Sequence, residues 1–149
     1  MNPNVVIYTD GSSRGNPGPG GYGIVMIEPK SNYIKEFSCG YKKTTNNRME
    51  LMAVIVALEK IKAENQQVNI YTDSKYVVDG ITSWVKGWKR RGWKKADKKA
   101  PENLEQWQEL DQLNEKFNVE FIWVKGHAGH PQNELCDRLA NEALDAQGF

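Results

Sequence analysis

The chain has 149 residues, 39% of them hydrophobic and 26% charged, with 20 basic and 19 acidic side chains and a formal net charge of +1. That length suits a single domain with a buried core, and no apolar run approaches the ~20 residues of a membrane-spanning helix. Met1-Asn2-Pro3-Asn4 has neither the basic nor the apolar segment of a secretory leader, and Cys39 and Cys136 share no metal-ligand spacing, so a cytoplasmic protein with reduced thiols is expected.

The first element is the run Val5-Val6-Ile7-Tyr8-Thr9-Asp10-Gly11-Ser12, β-branched and apolar up to a carboxylate and a turn. It reads as a short buried strand with Asp10 at its C-terminal tip. The phrase returns as Val68-Asn69-Ile70-Tyr71-Thr72-Asp73-Ser74. If the two strands are parallel neighbours, Asp10 and Asp73 lie roughly 5 Å apart, the inter-strand spacing. Like charges that close do not both stay ionised without a cation, which points to a metal site. The alternative is that each Asp caps the helix following its strand.

Residues 11–21, rich in Gly and Pro, predict a tight loop whose backbone N–H groups can approach a ligand; a plain hairpin connector is the other reading. Strands are expected over 22–27 and 33–41, forming an antiparallel meander with the first strand. Thr44-Thr45-Asn46-Asn47 supplies capping chemistry for a helix over about 48–63. On that helix Glu50, Val54, Ala57 and Ile61 share one stripe and Glu59 falls opposite. Glu50 is thus the acidic member of an inward row, and an unpaired buried carboxylate costs several kcal/mol. A cation would relieve it; a favourable place at the helix N-terminus is the blander account.

A short helix is expected over 75–80, then a basic arm over 84–95. Between residues 86 and 99 eight cations face Asp97 alone, leaving 12 basic against 18 acidic residues in the rest of the chain. An acidic body with one cationic arm implies a polyanionic partner. Trp84, Trp88 and Trp93 alternate with Lys89, Arg90 and Arg91, so indole faces can meet sugars or bases while the cations neutralise phosphates. Trp84 and Trp88 are expected to be mainly structural. A further helix over about 104–116 turns Leu104, Trp107, Leu110 and Leu113 inward, and a core strand over 119–124 leads into a loop carrying His127 and His130. The last helix, about 132–146, is expected to bury Leu135, Leu139, Ala140 and Ala143, with Asp137 at the border of that face.

Asp10, Glu50, Asp73 and Asp137 form an all-oxygen donor set, which suits Mg²⁺ first and Mn²⁺ second. Four carboxylates can hold two such ions about 4 Å apart, an arrangement suited to in-line displacement at phosphorus. His127, between glycines and titrating near neutrality, suits a proton shuttle. A zinc pair of His127 and His130 lacks a third ligand at the right spacing.

Six motifs then carry a resemblance. Tyr-Thr-Asp-Gly-Ser (8–12), Gly-Asn-Pro-Gly-Pro-Gly-Gly-Tyr-Gly (15–23), Thr-Thr-Asn-Asn-Arg-Met-Glu-Leu-Met (44–52), Thr-Asp-Ser (72–74), Trp-Val-Lys-Gly-His-Ala-Gly-His-Pro (123–131) and Asn-Glu-Leu-Cys-Asp (133–137) resemble bacterial ribonuclease H, type 1, in that family's order and over nearly the whole chain. The resemblance implies an α/β fold with a five-stranded mixed sheet of order 3-2-1-4-5, flanked by helices. It also implies hydrolysis of the RNA strand of RNA–DNA hybrids to 5′-phosphate and 3′-hydroxyl ends. Its metal-binding acids fall on Asp10, Glu50, Asp73 and Asp137, its mobile histidine on His127, and its hybrid contacts on Gly11, Asn16, Asn46 and Asn47. Its basic protrusion falls on the arm, with Trp84, Trp88, Lys89, Arg90 and Arg91. Lys75 stands where the family pattern carries Gln. With no hybrid-binding segment ahead of residue 5, the arm is expected to do that work alone, in a monomer. The rival readings are a related metal-dependent DNA nuclease of integrase type and a non-catalytic hybrid-binding module; the second predicts lost acidic positions, and all four are filled.

Overall fold

The structure is a computed structural model describing residues 2–126 and 130–149. Strands β1 (Val5–Ser13), β2 (Gly18–Glu28) and β3 (Tyr33–Thr44) form the antiparallel meander, and β4 (Gln67–Thr72) and β5 (Asn118–Trp123) extend it in parallel. The order is β3-β2-β1-β4-β5, as expected. Helix α1 (Asn46–Glu59) follows β3. Helix α2 (Lys75–Asp79) runs through a π-helical turn (Gly80–Trp84) into α3 (Val85–Arg90), and α4 (Leu104–Glu115) and α5 (Pro131–Ala146) complete the chain.

The burial pattern follows from the layers. On one face Ile7, Ile24, Val68 and Ile70 pack against Leu51, Val54, Ile55 and Leu58 of α1 and Trp107 and Leu110 of α4, all at most 1% exposed. On the other face α5 lies across β2, β1 and β3. Strand β2 is covered on both faces, so Ile24 and Val25 are both buried, whereas β4 alternates buried and half-buried residues. Among the described residues no helix is long and apolar enough to cross a membrane.

Three expectations change. The glycine-rich stretch is mostly strand: β1 runs to Ser13, β2 starts at Gly18, and a short hairpin turn joins them. Gly15, at φ 105°, serves the turn, whereas the glycines of β2 serve packing. A Cβ on Gly23 would lie 2.0 Å from the Cys136 carbonyl oxygen, so a side chain at Gly23 would lift α5 off the sheet. Helix α1 starts two residues earlier than expected, with the Thr45 hydroxyl accepting from the Arg48 N–H at 3.2 Å, and stops four residues short of 63. Its last turn tightens as the Ile61 N–H donates to the Leu58 carbonyl, which leaves Ile61 outside the helix. Finally, the sheet-facing stripe of α5 is Asn133, Cys136, Ala140 and Leu144, while Leu135, Leu139 and Ala143 are half-buried flanks. Small residues occupy the line of closest approach because the glycines of β2 draw the helix in. That rotation places Asp137, three residues before Ala140, on the sheet-facing side.

Candidate active site

Strands β1 and β4 are parallel with Thr9 opposite Thr72, so Asp10 and Asp73 follow at equivalent positions past the paired residues. Glu50 comes from the first turns of α1 and is 5% exposed; Asp10 is 8% exposed. One carboxylate oxygen from each of Asp10, Glu50 and Asp73 lies within 4.8 Å of the others. Asp137 falls outside that set but opens on the same cleft of about 470 Å³. Three of the four expected acids therefore converge closely, and the fourth faces them.

The electrostatics show what such a cluster needs. Burial, then the carboxylates of Glu50, Asp73 and Asp137, push the Asp10 carboxyl up to about 10. Glu50 is also raised, by burial and by Asp73, against the opposing effect of the Gly11 N–H, which donates to its Oε1. Gly11 leaves no room for a side chain: a Cβ would sit 2.5 Å from the Glu50 backbone nitrogen. Acids held this close favour either protons or a divalent cation. The donors are all carboxylate oxygens and three already lie within ligating reach of one point, so the residues fit a hard cation.

Gly11, Asn46, Asn47 and Lys75 line the cleft. Asn16, on the β1–β2 turn, accepts the Asn46 N–H at 3.1 Å and braces that rim. The arm divides by burial. Trp88 is 9% exposed and packs 5.6 Å from Trp107, inside the aromatic cluster and not on the surface of the arm, whereas Trp84 is 40% exposed at that cluster's edge. Lys89 is held by Asp111 and Glu115, each at 3.0 Å, and these bonds raise its ammonium pKa. Arg90 and Arg91 are exposed and make only backbone contacts through their guanidinium groups among the described residues. His127 lies outside the described residues.

Ser12, Ser13, Ser74 and Tyr76 line the cleft without having been expected there, and Asn133 lies beside it. Ser74 caps α2 through the Val77 N–H at 3.2 Å and lines the cleft; its place in the repeated Thr-Asp phrase was the available signal. Asn133, 9% exposed, borders a small recess with Asp10, Asp73 and Asp137, and neither end of its amide is matched among the described residues. Hydrophobic periodicity does not mark it, because its burial comes from the rotation of α5; its place at the head of the Asn-Glu-Leu-Cys-Asp motif was the available signal.

A 3-2-1-4-5 mixed sheet with carboxylates gathered past its two central parallel strands defines the ribonuclease H-like class of proteins. The chain belongs to the RNase H family, which it matches over residues 2–145, and it is a nuclease. The ribonuclease H of Edwardsiella ictaluri is 57% identical over 139 residues, covering 93% of this chain and 88% of that one. Among solved structures, LC9-RNase H1, a type 1 RNase H with the type 2 active-site motif, is 41% identical with a TM-score of 0.86, over 99% of this chain and 74% of that one. LC11-RNase H1, solved in complex with an RNA/DNA hybrid, is 29% identical with a TM-score of 0.71, over 97% and 99%.

Proposed function

We propose that this chain is an endonuclease that hydrolyses the RNA strand of RNA–DNA hybrids, leaving 5′-phosphate and 3′-hydroxyl ends, with little preference for base sequence. The observation that carries the reading is the buried cluster of Asp10, Glu50 and Asp73 on an open polar cleft, in a family with a member solved on such a hybrid. Asp10, Glu50, Asp73 and Asp137 would hold two Mg²⁺ ions, with Mn²⁺ as substitute. Divalent ions bound there supply an activated water and charge stabilisation for the leaving oxygen. No nucleophilic side chain is needed.

The remaining work belongs to the chain's own residues. The Gly11 N–H orients Glu50. Asn16, Asn46, Asn47 and Lys75 would contact the hybrid along the rim, where groups can bond the 2′-hydroxyl that DNA lacks. His127 would carry a proton to or from the reacting oxygens. Residues 84–99 form a protrusion that grips the DNA strand through phosphates, with Trp84 offering an open indole face. The whole chain acts as one catalytic domain and as a monomer in the cytoplasm.

Hybrid, duplex DNA and duplex RNA assayed side by side with Mg²⁺ test the proposal. Cleavage of the RNA strand of the hybrid alone is expected, and faster cutting of duplex DNA would replace it with the DNA-nuclease reading. The ion pairs of the arm refine a second expectation. Replacing Arg90 and Arg91 with Ala should flatten the salt dependence of hybrid binding by about 1.8 log units, roughly 0.9 per phosphate contact. Lys89→Ala should flatten it less, because Asp111 and Glu115 already engage that ammonium. Equal slopes for parent and double variant, measured by titrations from low to moderate salt, would remove the arm from the binding surface.

A further inference from the structure

The last residue of β4, Thr72, is paired with the last residue of β5, Trp123, and the Val124 N–H closes the ladder on the Thr72 carbonyl at 2.9 Å. Asp73 stands one residue beyond, where its carbonyl has no strand partner among the described residues. The Trp123 indole N–H donates to that carbonyl at 3.0 Å. Indole nitrogen is a donor only, so the bond fixes the ring in one orientation. The ring stays 43% exposed, unlike the fully buried Trp107, and core packing does not account for it. The Lys75 ammonium lies 5.4 Å from its centroid, close enough for a cation–π contact.

The same end of β5 reaches the other end of Asp73. Gly126 passes so near that a Cβ there would sit 2.9 Å from Asp73 Oδ2. On the far side the Ser74 N–H donates to Thr72 Oγ1 at 3.1 Å. Backbone and carboxylate of Asp73 are thus bounded by residues 123–126, the end of β5 and the turn that follows it.

We infer that Trp123 is a positioning residue for Asp73, replacing the missing ladder bond at the strand tip, and that Lys75 seats its indole from the first turn of α2. The inference rests on the reading of Asp73 as a metal-holding carboxylate of the hybrid-cleaving site. In this role Trp123 acts through Asp73, by limiting where its carboxylate can go.

Trp123→Phe keeps the ring beneath Lys75 and removes the N–H. In that variant kcat on the hybrid should fall about tenfold with KM changed by less than about twofold, the low end for groups that orient metal-holding side chains. The midpoint of a Mg²⁺ titration without substrate, followed by backbone amide shifts of residues 73–75, should rise about severalfold, while the melting temperature stays close to the parent's. In the parent protein, the Trp123 indole proton should exchange with solvent more slowly than that of Trp84, whose exposure is similar. A kcat and Mg²⁺ midpoint both within about twofold of the parent would overturn the inference. So would a Trp123 indole proton exchanging as fast as that of Trp84, and this measurement alone decides the matter if the Phe variant does not fold. Asp10→Asn, run in parallel, separates the two levels: an active Asp10→Asn enzyme sinks the site reading itself, whereas an inactive one beside a parent-like Trp123→Phe sinks only the role of Trp123.

Discussion

Asp10→Asn should lower the rate of hybrid cleavage by at least about a thousandfold and, without divalent cations, make the protein more stable. On the proposed reading, the loss follows from removing one charged donor of a set whose bound ions would supply about 4 kcal/mol or more of transition-state stabilisation, at 1.36 kcal/mol per tenfold. The gain follows from linkage. Burial and the neighbouring carboxylates raise Asp10 in the folded protein to about 10, whereas the unfolded chain titrates it near 4. Below pH 4 both states hold the proton and Asp10 costs nothing. As pH rises through 4, the unfolded state releases its proton first, so the folded state binds more and stability falls until Asp10 ionises near 10. The variant lacks this slope. Its advantage in urea melts should therefore be small at pH 5 and grow to about 1–3 kcal/mol at pH 8.5, discounted because Glu50 shares the same proton balance. Millimolar Mg²⁺ should narrow the gap by stabilising the parent through binding. A variant less stable than the parent at pH 8.5 would make Asp10 a structural residue.

The second large effect is expected in the aromatic core, behind the cleft residue Tyr76. Trp107 is fully buried, its indole N–H donates to the Tyr76 hydroxyl at 3.1 Å, and its ring meets those of Tyr76, Trp84 and Trp88 at centroid distances of 5.2, 6.3 and 5.6 Å. It is the post on which α4 supports the segment from α2 to α3. Trp107→Ala should cost about 3–5 kcal/mol, since the ring leaves a cavity that the surrounding aromatics cannot close. That is a large part of the 5–15 kcal/mol that holds a typical domain together. The arm should loosen with it, so hybrid binding should weaken more than the fraction unfolded explains. Trp107→Phe, which retains most of the volume, should cost less, and equal urea midpoints for the Ala and Phe variants would mean the ring is not the support described.

Much of this was legible in one dimension. The repeated phrase ending in Thr-Asp identifies two central strands because period-2 burial and a terminal carboxylate are local properties, and Glu50 declares its facing through the stripe it shares with Val54 and Ala57. Boundaries were less legible. Glycine punctuates loops and also permits close packing, and only the contact of α5 with β2 tells which use Gly23 has. The same contact rotates α5, so that Asn133 and Asp137 face the sheet side while Leu135 and Leu139 become flanks, an outcome hydrophobic periodicity misassigns because it rewards large residues. Lys89 reads as a free cation in sequence, yet Asp111 and Glu115, 22 and 26 positions away, hold it in space.

By itself the sequence determined which elements form, which side chains are acidic and at what tips and faces they stand, because propensity, alternation and spacing act between near neighbours. The tertiary structure decided how close those acids come, which arm cations remain open to a phosphate, and that an exposed indole on β5 holds the backbone of Asp73. These are distances between residues far apart along the chain, and they are set by how closely helix and sheet can pack.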